Sequence, residues 1–186
     1  MSRSKFSWCL LVVRAPLPSI LAEYNRQAAG HTGHAQNMKT LNGFVRSKVK
    51  SWRNINMDWI ENFNPDRLLI VSYSKLLTDL SSQLVRMTTF LNVTVTEDQL
   101  QCTLRRSEGA FKRKKREQKL LIDQSTRDLL EEYKSEVMKA ALKVESSFVF
   151  DLENNIYNKE YTSKEHASDE ITEETMLDRQ QKKEKE

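Results

Sequence analysis

Cysteine is scarce in this chain. Cys9 and Cys102 are its only two, and they stand far apart with no CxxC pair. A disulfide framework and a zinc ribbon both lack support on that count. Long apolar runs are missing as well: the longest, Trp8 to Val13, falls far short of the ~20 residues that cross a bilayer. The apolar core and small-residue cleavage site of a signal peptide are also absent, so the chain as written reads as soluble. No internal repeat occurs. No Gly-rich loop closed by Lys-Ser or Lys-Thr is available to cradle a phosphate. Only 38% of the residues are hydrophobic and 30% are charged, which predicts that part of the chain does not pack.

What is present is charge, unevenly placed. Residues 1–150 hold 24 Lys+Arg against 15 Asp+Glu, a net +9, whereas residues 151–186 hold 6 against 11, a net −5. A basic body favours anionic ligands such as phosphate, sulfate or nucleic acid. The tail from Asp151 to Glu186 is mostly Glu, Lys, Asp, Ser and Thr. It buries too little apolar surface to offset its chain entropy and is expected to be disordered. This gives a domain at 1–150 and a charged tail at 151–186.

Along the body, Ser7 to Val13 reads as a strand buried on both faces, because it is apolar with a β-branched end. Arg14-Ala-Pro-Leu-Pro breaks it, and Pro18 suits the first turn of a helix running from Ser19 to Gln27. Residues 29–37, with two glycines and His31 and His34, form a loop by composition. From Leu41 to Phe63 apolar residues recur every three to four positions, the pattern of one amphipathic helix or two in series. Arg67 to Tyr73 reads as a second buried strand, Lys75 to Leu91 as a helix, and Thr96 with Gln99 as a capping box. A basic stretch, Arg105 to Lys119, precedes a helix from Ser125 to Leu142. Strands separated by long helical segments predict an α/β layered fold with a parallel sheet. Two strands alone make a poor sheet, so the domain is expected to be incomplete.

Three elements carry possible chemistry. Arg14 would sit at the C-terminal edge of the sheet, where open α/β sheets bind ligands, beside a helix N-terminus that favours anions. The rival reading, an arginine that merely ends a strand in solvent, is about as good on physics alone. Tyr73 ends the second strand and either stacks on a base or caps the core, the core reading being the better one. Between Arg105 and Lys119 there are 8 Lys+Arg and 2 Asp+Glu, entered by Gly109-Ala110-Phe111. That stretch reads as an anion-binding loop or, as charge runs more often are, as a solvated basic face, a nuclear-localisation-like run or a patch of non-specific nucleic-acid affinity, so by itself it is a weak signal. Asn92-Val93-Thr94 satisfies the glycosylation rule, which matters only in a secreted protein.

Taken in order, the strand followed by Arg-x-Pro and a helix, the strand ending in Tyr73, "FLNVTVTEDQL" and "EGAFKRK" resemble the back half of sulfotransferases. The resemblance covers roughly residues 8 to 145. It is closest to the WSC-domain-containing sulfotransferases, in which a segment similar to "LLVVRAPLPSILAEYNRQAAGHTGHA" is followed by Trp-rich helices and a Phe-Leu-Asn-Val turn. The resemblance implies a P-loop-like, three-layer α/β sulfotransferase fold whose N-terminal part is missing here. The donor it implies is 3′-phosphoadenosine 5′-phosphosulfate, leaving adenosine 3′,5′-bisphosphate as product. The acceptor would be a hydroxyl of a glycan or glycoconjugate, and the setting a Golgi membrane protein with a lumenal domain, although no transmembrane segment is found in this chain.

Roles follow residue by residue. Arg14 matches the arginine that grips the 3′-phosphate, Tyr73 a tyrosine beside the adenine, and Arg113 with Lys114 the pair in a late loop over the same phosphate. Where many members place a phosphate-binding serine this chain has Ala22, with Ser19 a possible substitute one turn earlier. The usual acidic residue after the tyrosine is Ser74, and the usual glycine after the Arg-Lys pair is Lys115. The family's phosphosulfate loop lies far upstream of the Arg-x-Pro motif, and only 13 residues precede Arg14. A chain of this length is therefore not expected to be an efficient sulfotransferase, and Met1 need not be the true start. His31 is a weak candidate for a general base; a loop that shapes the acceptor site is the better reading, and with no third ligand nearby a metal is not expected. Two alternatives stand beside this one: an inactive fragment or pseudoenzyme, and a small basic module binding nucleic acid or heparin. The second predicts affinity that falls steeply with salt and is indifferent to Arg14. Nucleic acid is not the expected partner, because no binding fold surrounds the basic run.

Overall fold

The chain divides into Met1–Phe150 and Asp151–Glu186. The computed structural model describes residues 6–107, 120 and 122–150, all in the first unit. The expected tail, and Arg113 and Lys114 of the basic stretch, lie outside the described residues.

Two strands, β1 (Cys9–Val13) and β2 (Leu68–Ser72), pair in parallel with Cys9 opposite Leu68 and Val13 opposite Ser72. Between them run α1 (Pro16–Ala29) and α2 (Leu41–Asn62), and after β2 come α3 (Tyr73–Thr78), α4 (Leu80–Phe90), α5 (Glu97–Arg105) and α6 (Gln124–Val144). This is the expected α/β arrangement. Among the described residues no helix is long and apolar enough to cross a membrane.

Local chemistry sets most of the boundaries. Pro16 stands at the first position of α1, where its missing N–H costs nothing. Gly30 closes that helix at φ 73°, its N–H bonding the Arg26 carbonyl at 3.0 Å. The Thr96–Gln99 capping box is formed as read, with both reciprocal bonds present. The expected helix over 75–91 is instead two. Asp79 interrupts it, taking non-helical dihedrals while its carboxylate accepts from the Ser82 N–H at 3.3 Å to start α4. At the other end of α4, Asn92 adopts φ 54°. Its N–H bonds the Thr89 carbonyl and that of Val93 the Thr88 carbonyl, the Schellman closure of a helix. That closure is what the Phe-Leu-Asn-Val turn builds.

The core lies against one face of the strand pair. Val13, Leu68 and Ile70 meet Ile60 and Phe63 from the end of α2 and Val137 and Ala141 of α6. Arg53 of α2 and Glu136 of α6 add an ion pair at 2.6 Å across that helix contact. On α4, Arg86 donates to the Ile70 carbonyl at 3.4 Å and pairs with Glu145 at the end of α6. Every residue of β2 is buried, as expected. β1 departs from expectation: only Val13 is buried and Val12 is 45% exposed. A strand is buried on both faces only when neighbours flank it, and among the described residues β2 alone pairs with β1.

Candidate functional site

The parallel register fixes the site. Val13 and Ser72 are the last paired residues, so the next residue of each chain segment, Arg14 and Tyr73, leaves the sheet side by side at its C-terminal edge. The Arg14 guanidinium carbon lies 4.6 Å from the centre of the Tyr73 ring. Two residues singled out separately, 59 positions apart, therefore form one cation–π pair. A guanidinium is also the group whose planar fork makes a two-pronged contact with a phosphate. Ser74, by contrast, is buried and hydrogen-bonded to Ser72 at 2.7 Å, so its hydroxyl turns inward.

The backbone under Arg14 is held from two helices. The Trp52 indole N–H of α2 donates to the Arg14 carbonyl at 3.1 Å, and the Ser19 hydroxyl of α1 donates to the same carbonyl at 3.4 Å. Ser19 thus stands beside Arg14, with its proton directed to the backbone. The helix end offers less than expected: Pro16 and Pro18 both fall in its first turn, so Leu17 carries the one backbone N–H among its first three residues. Any anion held here depends on the arginine more than on the helix terminus. Trp52 was legible only as one apolar position of α2. The signal that it does more was the indole N–H, which requires an acceptor when it approaches a core.

His31 is not brought to this pair. It is exposed and follows Gly30 at the far end of α1, a helix about 20 Å long by its rise per residue. The loop that carries it is nonetheless fixed. Asn25, buried in α1, accepts from the Ala35 N–H at 2.8 Å, and the Tyr24 hydroxyl donates to the Asn37 carbonyl at 2.6 Å and meets the Thr40 hydroxyl at 2.8 Å. Gly33 is needed for close approach: a Cβ there would lie 2.2 Å from the Ala29 carbonyl oxygen. Gly33→Ala is expected to lower stability by about 1–3 kcal/mol, as overpacking against backbone does. Thermal unfolding followed by circular dichroism measures it, and an unchanged midpoint would mean that the loop is not held in this form.

After the basic stretch, α6 opens at a fixed point. Asp123 caps α6, accepting from the Thr126 N–H at 2.7 Å and from the Asn42 amide at 2.6 Å, while its own N–H donates to Asn42 Oδ1 at 3.2 Å. Hydrogen bonds, from Thr126 first and then from Asn42 and Ser125, hold its carboxyl well below the ordinary 3.8. A depressed carboxylate stabilises the fold above its unfolded-state pKa, and the contribution is lost as pH falls below about 4 toward the folded-state value. The difference in urea midpoint between wild type and Asp123→Ala is therefore expected to be constant from pH 7 to 5 and to shrink below pH 4. A difference that grows on acidification would contradict this cap.

Residues 9–152 match the family model described as a sulfotransferase domain. A WSCD family member of Aedes aegypti is 38% identical over 114 residues, covering 58% of this chain and 36% of the relative. One of Drosophila melanogaster is 36% identical over 118 residues, covering 60% and 37%. One of Drosophila pseudoobscura pseudoobscura is 37% identical over 122 residues, covering 62% and 38%. No solved structure matches. The chain spans little more than a third of the length of these curated relatives. With Arg14 and Tyr73 joined at the strand ends and the family model running through both, the chain belongs to the sulfotransferase domain family.

Proposed function

We propose that this chain supplies the 3′-phosphate and adenine half of a 3′-phosphoadenosine 5′-phosphosulfate site. The enzyme concerned would transfer a sulfuryl group to a hydroxyl of a glycan or glycoconjugate, in the Golgi lumen. The observation that carries the reading is the Arg14–Tyr73 pair at the C-terminal ends of two parallel strands. The residues present fit such a nucleotide. Arg14 has the fork for the phosphate, and Tyr73 offers an aromatic surface to the base. Ser19 stands one turn into α1, and Arg113 and Lys114 bring the further cations that the resemblance assigns to the same phosphate. When bound, the donor supplies the activated sulfuryl group; these residues bind and orient its nucleotide end.

Stabilising the charge that develops on the bridging and leaving oxygens needs preorganised donors near the phosphosulfate. No Gly-rich phosphate loop occurs in the 186 residues. The test is therefore binding rather than turnover. In calorimetric titrations of the whole chain, adenosine 3′,5′-bisphosphate is expected to bind about tenfold or more tightly than AMP, which lacks the 3′-phosphate, since a charge-assisted contact is worth about 1.5–3 kcal/mol. Equal affinity for the two, or binding that vanishes uniformly with salt, would favour the basic-module alternative.

A further inference from the structure

Arg14 can discriminate a 3′-phosphate only if its backbone is fixed, because a guanidinium on a mobile turn spends binding energy on ordering itself. Where the chain turns out of the sheet at Arg14-Ala15-Pro16, the Arg14 carbonyl accepts from Trp52 at 3.1 Å and from Ser19 at a longer 3.4 Å. Trp52 is itself fixed. It packs against the core cluster that includes Val13 and Ile70 and meets the Phe150 ring at 6.3 Å. Its Asn56 neighbour, one turn on, donates to the Trp52 carbonyl at 2.7 Å. Arg14 is thus gripped at both ends, by Tyr73 under the guanidinium and by Trp52 at the carbonyl, from two different elements.

We infer that Trp52 is a positioning residue for phosphate recognition: its indole N–H sets the orientation of Arg14 and so the preference for a 3′-phosphorylated nucleotide. The inference rests on the nucleotide reading above and goes beyond it, since it assigns a role to a side chain that acts through Arg14. A residue that only packs would change affinity for every nucleotide alike. A residue that acts through Arg14 changes the ratio between nucleotides with and without the 3′-phosphate.

The experiment measures that ratio, adenosine 3′,5′-bisphosphate against AMP, in the whole chain. Trp52→Phe keeps an aromatic ring and removes the donor, and is expected to reduce the preference roughly three- to tenfold, the effect of one hydrogen bond. Placing 3-benzothienylalanine at position 52 keeps the bicyclic shape without the N–H. It is expected to do the same, and it answers the question if Trp52→Phe fails to fold. In an Arg14→Ala background neither replacement is expected to lower the ratio further, as a double-mutant cycle requires of residues acting in series. A wild-type preference left intact by both replacements, or equal losses for both nucleotides, overturns the role of Trp52 alone. Absence of any preference in the wild type overturns the nucleotide reading and this inference together.

Discussion

Replacing Arg14 by alanine is expected to lower the affinity for adenosine 3′,5′-bisphosphate by about 10- to 150-fold while changing that for AMP by less than about threefold. The estimate is the 1.5–3 kcal/mol of a hydrogen bond to a charged partner, read as a binding ratio. The expected selectivity follows from the proposed site, in which one guanidinium, held 4.6 Å over the Tyr73 ring, would contact the 3′-phosphate that AMP lacks. Arg14→Lys distinguishes charge from shape. A lysine keeps the positive charge but has neither the planar face for Tyr73 nor the two-pronged fork, so it is expected to recover only a minor part of the loss. Tyr73→Leu removes the platform and leaves the cation. Its expected cost is smaller, about 2- to 10-fold, given the ~0.5–1 kcal/mol of an exposed cation–π contact and somewhat more in a sheltered one. Circular dichroism of each variant controls for folding. If Arg14→Lys binds as tightly as wild type, a point charge suffices and the proposed geometry is wrong.

Ile70→Ala carries the largest expected effect on stability, about 2–5 kcal/mol. Ile70 lies in the middle of β2, only 1% exposed, in the same cluster as Val13, Val137 and Ala141. Neighbours on a sheet and two helices cannot all close in on the space that truncation leaves. The loss is a large share of the roughly 5–15 kcal/mol that holds an ordinary domain together. Ile55→Ala on α2 is the control, since Ile55 is 61% exposed and its truncation is expected to stay within about 0.5 kcal/mol. Urea denaturation of the two variants makes the comparison. Similar midpoints for both would place the core elsewhere.

The sequence was informative where the structure depends on neighbours in the chain. The β2 run, the proline start of α1 and the Thr96–Gln99 box are all local patterns, and each stands close to where it was read. The break at Asp79 was available to the same reasoning, because an aspartate before Leu-Ser-Ser is a helix start. The long apolar spacing of Leu76 to Phe90 concealed it. The exposure of Val12 was not available, since a buried strand and a half-buried one have the same apolar composition when the flanking strands are unknown. Of the site, Arg14 and Tyr73 were legible one by one, through a motif and a strand end. Their contact was not, because it comes from the Val13–Ser72 register. Trp52 and the pins at Tyr24 and Asn25 were hidden for a related reason: their partners lie 38, 13 and 10 positions away.

The pairing of β1 with β2 also bears on how the protein comes to be folded. Cys9 and Leu68 are 59 positions apart, and the intervening chain holds both α1 and α2. Bringing the strands together closes a long loop before any cross-strand bond is gained, and parallel pairings of this kind form slowly for that reason. The helices between them have local contacts and can form first. Arg14 and Tyr73 therefore meet only after this loop has closed, so in a refolding experiment nucleotide binding is expected to lag behind the appearance of helix.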